Sequence, residues 1–333
     1  MANLPKILVT GGAGFIGSEF VRQGVALGHN ISVIDGMTYA SDFSRLKSVS
    51  GKFTPYKISV VDKDKTEKVI KKEKPEIIIH FAAETHVDRS IQDAHPFIRT
   101  NITGTQNIID LTLKYKISKF IHFSTDEVYG EIAQGKFRED FPLQPSSPYS
   151  ASKAAADMLI KAAIRTHHLP AMIVRPSNNY GPWQYPEKFL PVIILKAFHD
   201  EKIPVYGNGS NIREWLHVSD CVRAVYLLLV KGKMGEIYNI GSDAERKNIE
   251  VVKTVLKLLN KPESLIEFVK DRPGHDIRYS VDCTKLQNLG WETQITFEEG
   301  FRGTVDWANA NQNWLESKLK HLKSYWKKVY KKK

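Results

Sequence analysis

The sequence predicts an α/β protein in which a doubly wound parallel sheet carries a smaller α/β lobe. Two observations predict the sheet. Short apolar segments alternate with helical stretches through the first half, and several of these segments are apolar almost without interruption, as strands covered on both faces are. A third observation predicts the second lobe: after Pro176 the chain becomes rich in Gly, Pro, Asn and aromatic residues, a composition typical of binding loops.

The elements of the first half follow from this alternation. The predicted strands are Lys6–Thr10, Ile31–Ile34, Phe53–Val60, Ile77–Phe81, Phe120–Ser124 and Ala171–Arg175. The segments between them have helical periodicity, and the predicted helices are Phe15–Leu27, Lys63–Lys74, Pro96–Tyr115 and Tyr149–His168.

The second half contains further helices, but its boundary with the first is not clean. Helices are predicted near Val192–His199, Val218–Val230 and Ile249–Leu259. The apolar helix Cys221–Val230 and the strand Glu236–Ile240 that follows it could return to the first sheet. The expected division is 1–176 with a return segment at about 213–241 for the first domain, 177–212 and 242–317 for the smaller lobe, and 318–333 for a basic tail.

The net charge of +11 is concentrated in the tail, where 318–333 contain eight lysines and no acidic residue. The rest of the chain carries the difference, +3. We expect a solvated terminal helix that frays, the alternative being binding to nucleic acid or a lipid surface.

Other composition features exclude several classes of protein. No apolar segment approaches the ~20 residues that cross a bilayer, and the N-terminus lacks the regions of a signal peptide. Neither the histidines nor Cys221 and Cys283 have metal-ligand spacing, so we expect no metal. The expected location is the reducing cytoplasm.

A glycine-rich turn joins the first strand to the first helix. Glycines in such a turn let the backbone approach a pyrophosphate, and the helix N-terminus favours its negative charge. Asp35 ends the second strand about 20 residues later, where a carboxylate can bind a ribose 2′-hydroxyl and repel a 2′-phosphate. The sequence therefore predicts a Rossmann-type fold that binds NAD rather than NADP. The turn comprises Gly11, Gly14, Phe15, Ile16 and Gly17.

Two groups of residues have the character of catalytic groups. Tyr149 and Lys153 are four residues apart on a predicted helix and so share a face. A lysine ammonium favours the phenolate, so we expect a lowered pKa for Tyr149 and a role as base towards a substrate hydroxyl. Thr125, Asp126 and Glu127 follow a central strand at its carboxyl end, the edge where open parallel sheets bind ligands.

With these motifs the chain resembles the extended short-chain dehydrogenase/reductase family. Within it, the chain resembles the nucleoside-diphosphate-glucose 4,6-dehydratases, particularly those acting on dTDP-glucose. The resemblance runs from Ile7 to about Trp307. It is carried by the segments TGGAGFIG, VIDGMTYA, HFAAETHVDRSI, STDEVYG, PYSASKAAAD, RPSNNYGP, EKFLP, YGNGSNIREWLHVSD and RPGHDIRY.

This resemblance implies a reaction with no net redox change. Tyr149 would deprotonate the sugar C4 hydroxyl while NAD accepts the C4 hydride, and the ketone formed acidifies the C5 hydrogen. Glu127 would remove that proton and Asp126 would protonate the departing C6 hydroxyl. The hydride then returns to C6. Thr125 would hydrogen-bond the C4 oxygen, and Lys153 would also bind the nicotinamide ribose.

The resemblance implies further contacts on both ligands. On the cofactor they are Asp62, Ala82, Ala83 and Asn101, although VVDKD around Asp62 departs from the usual glycine-containing form. Asn101 and His86 could have structural roles instead. The implied sugar-nucleotide residues are His86, Asp88, Ser90, Thr125, Asn178, Lys188, Leu190, Tyr206, Arg213, Asn248, Arg272, His275 and Tyr279, with Arg213 and Arg272 at the diphosphate.

Three alternatives remain open at this stage. A nucleoside-diphosphate-sugar 4-epimerase is disfavoured by the adjacent Asp126 and Glu127, because an epimerase need not break the C5–H bond. A UDP-glucose 4,6-dehydratase also remains open, because thymine and uracil differ by one methyl group, which a binding pocket distinguishes by only ~1–3 kcal/mol. An NAD-binding regulator with a nucleic-acid-binding tail would not need the catalytic groups.

The family resemblance also implies a homodimer. Its members typically pair helices into a four-helix bundle, and the candidates here are Pro96–Tyr115 and Tyr149–His168.

Overall fold

A parallel sheet of seven strands is the centre of the structure, a computed structural model that describes residues 4–271, 275–319 and 322. The strands in chain order are β1 (Ile7–Thr10), β2 (Ile31–Asp35), β3 (Thr54–Lys57), β4 (Ile77–His80), β5 (Lys119–Phe123), β6 (Ala171–Pro176), β7 (Asn178–Tyr180), β8 (Ile203–Tyr206), β9 (Ile212–His217), β10 (Ile237–Ile240), β11 (Glu245–Lys247) and β12 (Ile266–Val269). The central sheet has the order β10-β6-β5-β4-β1-β2-β3, with every neighbouring pair parallel. The predicted Rossmann-type doubly wound sheet is confirmed.

Helices cover both faces of this sheet. Alternate residues of β1 face opposite ways: Ile7 and Val9 contact the core under α1 and α8, and Leu8 contacts the core under α2, α5 and α6. The helices are α1 (Phe15–Ala26), α2 (Lys63–Glu73), α3 (Val87–Gln92), α4 (His95–Phe97), α5 (Thr105–Lys114), α6 (Pro148–His167), α7 (Phe189–Phe198), α8 (Val218–Lys231), α9 (Asn248–Leu258), α10 (Thr284–Gln287) and α11 (Phe297–Ala310).

The chain returns to the central sheet late in its course. Helix α8 packs on α1, where the ring of Tyr226 stacks on Phe20 with centroids 4.4 Å apart and its hydroxyl donates to the Phe20 carbonyl at 2.8 Å. Strand β10 then pairs with β6. Strand β9 instead pairs with β7 and β11 in a separate sheet, so the return begins at Val218 and not at about 213.

The smaller lobe contains two short sheets and a core of its own. Strands β7 and β9 are parallel, β11 is antiparallel to β9, and β8 pairs with β12. Helices α7, α9 and α11 contribute Ile194, Val252 and Phe301 to the core of this lobe. Helix α11, which the sequence analysis did not predict, begins with a capping box between Thr296 and Glu299.

Two predicted elements of the first half differ from the structure. The segment Pro96–Tyr115 is not one α-helix, because a π-helix, Ile98–Gly104, separates α4 from α5. Within it the buried Asn101 side chain bonds both backbone groups of Glu84, and π-helical turns commonly occur where such a side chain is needed near a site. The strand Phe53–Val60 is shorter, since Pro55 restricts β3 to the sheet edge and the chain turns away after Lys57.

The predicted tail lies mostly outside the described residues, which include only 318, 319 and 322 of the segment 318–333. Lys318 donates from Nζ to a carboxylate oxygen of Asp42 at 2.6 Å, and Leu322 is buried. Among the residues that the structure describes, none of the helices has the length and apolar character to cross a membrane.

Candidate active site

A cleft runs along the carboxyl edge of the parallel sheet, where open α/β sheets bind their ligands. Its cavity of about 310 Å³ has walls from the glycine-rich turn, the loop after β2 and the ends of β4, β5 and β6. The predicted site residues that line it are Gly11, Gly14, Phe15, Ile16, Gly17, Asp35, Ala82, Ala83, Thr125, Asp126, Glu127, Tyr149, Lys153, Asn178 and Lys188.

The glycine-rich turn packs so closely that side chains would not fit. Gly11 has a φ of +72°, and a Cβ on it would lie 2.6 Å from the backbone nitrogen of Ala82. A Cβ on Gly17 would lie 2.3 Å from the Gly11 carbonyl oxygen. Helix α1 follows Gly14 with no side-chain cap, which leaves its positive end to an anion.

Asp35 completes the features expected of a dinucleotide site. Its carboxylate is 3% exposed and accepts the backbone N–H groups of Ala13 and Met37, both at 2.9 Å. These bonds fix the carboxylate beside the glycine-rich turn, in the wall of the cleft. Two glycines that admit no Cβ, an uncapped helix N-terminus and this carboxylate fit NAD.

Asp62 does not contribute to the cleft as predicted. Its carboxylate caps α2 by accepting the N–H of Lys65 at 3.1 Å and forms an ion pair with the same lysine. Ser59 and Val60 line the cleft instead, because β3 ends early and the chain passes the cofactor side before α2 begins. The departure of VVDKD from the usual form was the sequence signal of this difference.

Helix α6 holds the predicted tyrosine–lysine pair in the cleft wall. It begins with a capping box between Ser147 and Ser150 and with Pro148 at its first position. The buried Lys153 donates from Nζ to the Phe123 carbonyl at 2.7 Å. Burial lowers the pKa of Lys153 to about 8, although the carboxylate of Asp157 acts in the opposite direction.

The expected lowering of the Tyr149 pKa is wrong for this structure. Burial of the phenol and the nearby Glu127 carboxylate raise the pKa of Tyr149 well above its ordinary value, while Thr125 opposes the shift through a hydrogen bond. The reason is desolvation, which penalises a buried phenolate more than any neighbour here offsets. Tyr149 therefore keeps its proton at neutral pH in this state of the site.

The two adjacent carboxyls have different environments. Thr125 caps the short 3₁₀ helix Asp126–Tyr129 and donates its hydroxyl to Asp126 at 3.2 Å. Asp126 is 3% exposed, and burial together with the carboxylates of Glu127 and Glu214 raises its pKa well above the usual range. The raised pKa favours the protonated form of Asp126, which can donate a proton, whereas Glu127 lies in the wall of the open cleft.

A second cavity of about 200 Å³ adjoins the first. The two share six wall residues, so they form one continuous cleft between the central sheet and the smaller lobe. The predicted substrate residues that line the second cavity are His86, Asp88, Asn178, Lys188, Leu190, Tyr206, Arg213, Asn248 and His275.

Arg213 and His275 of this second cavity are held by backbone, carboxylate and aromatic groups. Arg213 donates to the carbonyls of Ile212 at 2.7 Å and Asp276 at 2.9 Å, and its guanidinium lies 4.3 Å from the Tyr279 ring centroid. His275 contacts Asp271 at 2.6 Å, and its ring meets Tyr206 edge-on. A cation fixed in this way can face a diphosphate.

Two predicted ligand contacts have supporting positions instead. Ser90 is buried and lines neither cavity: its hydroxyl accepts the Tyr149 N–H at 3.1 Å and donates to Val87 at 2.7 Å. Asn101 also lies behind the wall, where it bonds Glu84 and Ser152. Arg272 lies outside the described residues.

Residues that the sequence analysis missed also line the cleft. Glu187 faces both cavities and is buried, accepting the Tyr39 hydroxyl at 2.7 Å and the Arg89 Nε at 3.1 Å. Burial raises the pKa of Glu187. Arg45 lines the cofactor side. The loop GPWQYPEKF was a signal for Glu187, but Arg45 in an ordinary helical segment gave none.

Comparison with known proteins agrees with this site. The model of the GDP-mannose 4,6 dehydratase family matches residues 8–304. A dTDP-glucose 4,6-dehydratase of Xanthomonas campestris pv. campestris is 44% identical, over 94% of this chain and 95% of its own length. The low-salt glycan biosynthesis protein Agl12 of Haloferax volcanii is 46% identical, over 90% of this chain and 97% of its own.

A solved structure extends the agreement to the fold. The dTDP-glucose 4,6-dehydratase DesIV of Streptomyces venezuelae, crystallised with NAD and TYD bound, superposes with a TM-score of 0.92 at 40% identity, covering 94% of this chain and 99% of its own. The chain therefore belongs to the GDP-mannose 4,6 dehydratase family, among the dTDP-glucose 4,6-dehydratase-like members that its sequence resembles.

Proposed function

We propose that this chain is an NAD-dependent 4,6-dehydratase that converts dTDP-glucose to the 4-keto-6-deoxy sugar. The observation that carries the proposal is the pair of adjacent carboxyls beside Tyr149, of which Asp126 is buried with a raised pKa. A hydride-transferring epimerase needs neither carboxyl, whereas removal of water across C5–C6 needs one base and one acid. The Xanthomonas relative and the Streptomyces structure are both named dTDP-glucose 4,6-dehydratase.

The first stage uses the tyrosine and the threonine. Bound NAD supplies the chemistry of hydride acceptance from C4 and later hydride return to C6. Thr125 and Tyr149 bind the C4 hydroxyl. Tyr149 takes the hydroxyl proton as a phenolate, so binding of NAD and the sugar would have to lower its pKa from the raised value of the empty site. Lys153 lies one turn further along α6 and stabilises the negative charge on the phenol oxygen.

The second stage uses the two carboxyls. The C4 ketone acidifies the C5 hydrogen, which Glu127 removes as base. Asp126 donates its proton to the C6 hydroxyl, which leaves as water and gives a C5–C6 double bond. Glu127 returns its proton to C5 when the hydride is returned to C6. The position of the cleft between the central sheet and the smaller lobe limits the access of solvent water to this intermediate.

The same proposal assigns the two lobes. NAD would bind to 1–176 with the return segment from Val218, and the nucleotide end of the sugar would bind to the smaller lobe. We also propose a homodimer formed through the helical segment Pro96–Tyr115 and α6. Ile98 and Met158 support it, because these apolar residues of the two segments are 49% and 53% exposed. Sedimentation as a monomer at micromolar protein would contradict the dimer, and a cytoplasmic location remains a prediction.

The test is incubation with dTDP-glucose and, in parallel, UDP-glucose, followed by NMR and mass spectrometry. We expect loss of one water, a C4 ketone and a new C6 methyl group, with faster turnover of dTDP-glucose. A product of unchanged mass with inverted C4 would identify an epimerase and refute the roles of the two carboxyls. Faster turnover of UDP-glucose would show that the preferred substrate carries uracil and not thymine.

A further inference from the structure

Arg45 is a fully buried arginine in the wall of the cofactor cavity. It is 1% exposed, and it lines the same cavity as the glycine-rich turn and Asp35. Burial lowers the pKa of Arg45 to about 10, so the guanidinium stays charged at neutral pH. A buried charge is costly unless its donors are used, so the partners of each nitrogen matter.

Two of the three guanidinium nitrogens join the loops that shape the cavity. Nη1 donates to the carbonyls of Ala13 at 2.8 Å and Ala40 at 2.7 Å, and Nε donates to the carbonyl of Trp183 at 3.0 Å. Nη2 is buried and has no hydrogen-bond partner among the described residues. Nη2 is therefore the donor of this cavity-lining guanidinium that an entering ligand oxygen would satisfy.

The C-terminal helical segment 312–319 packs against Arg45. The guanidinium lies 5.3 Å from the centroid of the Trp314 ring. Trp314 Nε1 and Lys318 Nζ both donate to one oxygen of Asp42, at 2.9 and 2.6 Å. Asp42 in turn donates its N–H to Ala13 in the glycine-rich turn. The segment thus fixes the loop that carries Arg45.

We propose that Arg45 is a cofactor-binding residue whose Nη2 donates to a ribose or diphosphate oxygen in the adenosine half of NAD, and that Trp314 is a positioning residue for it. The adenosine half is the part of NAD that the glycine-rich turn and Asp35 would hold. This proposal rests on the proposed function only for the identity of the cofactor. It does not require the dehydration to occur.

The test compares Arg45→Lys with Arg22→Lys as a matched control. Arg22 supports the same loop from outside, because its Nη1 donates to the Arg45 carbonyl at 2.7 Å, but it lines neither cavity. Protein stripped of nucleotide is titrated calorimetrically with NAD, ADP-ribose and nicotinamide mononucleotide, after wild type has been shown to regain full NAD content. dTDP binding serves as a check on the second cavity.

We expect Arg45→Lys to weaken NAD and ADP-ribose about tenfold or more, as loss of a charge-assisted hydrogen bond does, and to leave nicotinamide mononucleotide and dTDP unchanged. Arg22→Lys should alter NAD affinity less than twofold. Unchanged ADP-ribose affinity in Arg45→Lys, or an equal loss in both variants, would overturn the proposal. Dehydration that fails while these binding results hold would overturn only the proposed function.

The positioning role is tested by combining variants. Trp314→Ala should weaken NAD in the wild-type background and have little further effect in the Arg45→Lys background, because it acts through Arg45. A tryptophan with only a structural role would lower the melting temperature in both backgrounds and leave NAD affinity unchanged. That result, or equal losses of affinity in the two backgrounds, would refute the positioning role.

Discussion

Replacement of Asp126 by asparagine should separate the two halves of the reaction. Asp126 is 3% exposed, and its raised pKa favours the protonated form, which asparagine matches in both shape and charge. The amide oxygen can still accept the Thr125 hydroxyl that now lies 3.2 Å away. We therefore expect the free energy of unfolding near pH 4 to change by no more than about 1 kcal/mol.

The activity of Asp126→Asn should fall far more than its stability. The variant lacks the proton for the C6 hydroxyl, and a positioned acid contributes about 10²–10⁴-fold to a rate. Oxidation at C4 needs Tyr149 and not Asp126, so NADH should accumulate when dTDP-glucose is added. Stopped-flow absorbance of NADH and NMR of the product measure the two stages separately. Full dehydration by the variant, or no formation of NADH, would refute the assignment of Asp126 as the acid.

The same variant carries a pH signature. Because the folded state raises the pKa of Asp126, the folded protein keeps a proton that the unfolded chain releases above the ordinary aspartate range. The free energy of unfolding of the wild type should therefore decline with rising pH relative to Asp126→Asn, from pH about 4 towards the raised pKa. Parallel denaturant titrations across pH 4–8 measure the difference. Parallel curves for the two proteins would show that the buried carboxyl is not held neutral.

Three further predictions concern other groups of the site. Glu127→Gln should form NADH but lose exchange of the C5 hydrogen with solvent deuterium, measured by NMR; retained exchange would exclude Glu127 as the base. Asp157→Asn should shift the alkaline limb of the kcat/KM profile to lower pH. Asp157 raises the pKa of Lys153, so the variant's lysine loses its charge at a lower pH. An alkaline limb at the same pH in both proteins would contradict this. Gly11→Ala should abolish NAD binding and lower the stability more than Gly135→Ala does. Both glycines have positive φ, but of the two only Gly11 has backbone atoms within 3 Å of a new Cβ. Equal losses of stability in thermal unfolding would show that close packing at the turn is unimportant.

The sequence predicted most of what depends on local pattern. The buried strands such as Ile77–His80 were predicted to within a residue or two, because a strand covered on both faces is apolar throughout. The glycine-rich turn and Asp35 were predicted from their spacing, and the cleft contains them. The tyrosine and lysine of α6 follow from helical periodicity in the same way.

The differences arise where distant parts of the chain decide the outcome. The π-helix at Ile98–Gly104 accompanies bonds from Asn101 to Glu84, which helical periodicity does not reveal. The position of Ser90 is fixed by a hydrogen bond from the backbone N–H of Tyr149, 59 residues later in the chain. The pKa of Tyr149 was predicted from its lysine neighbour alone, whereas burial by the whole fold dominates it.

The wall shared by the two cavities has a thermodynamic consequence. Asn178, Glu187 and Lys188 face both cavities, so a ligand on either side acts on the same segment. Binding free energies coupled in this way are reciprocal: the factor by which NAD changes the affinity for the sugar nucleotide equals the factor by which the sugar nucleotide changes the affinity for NAD. A shift of this shared segment on binding would make retention of the cofactor between turnovers depend on the supply of substrate as well as on the cofactor concentration.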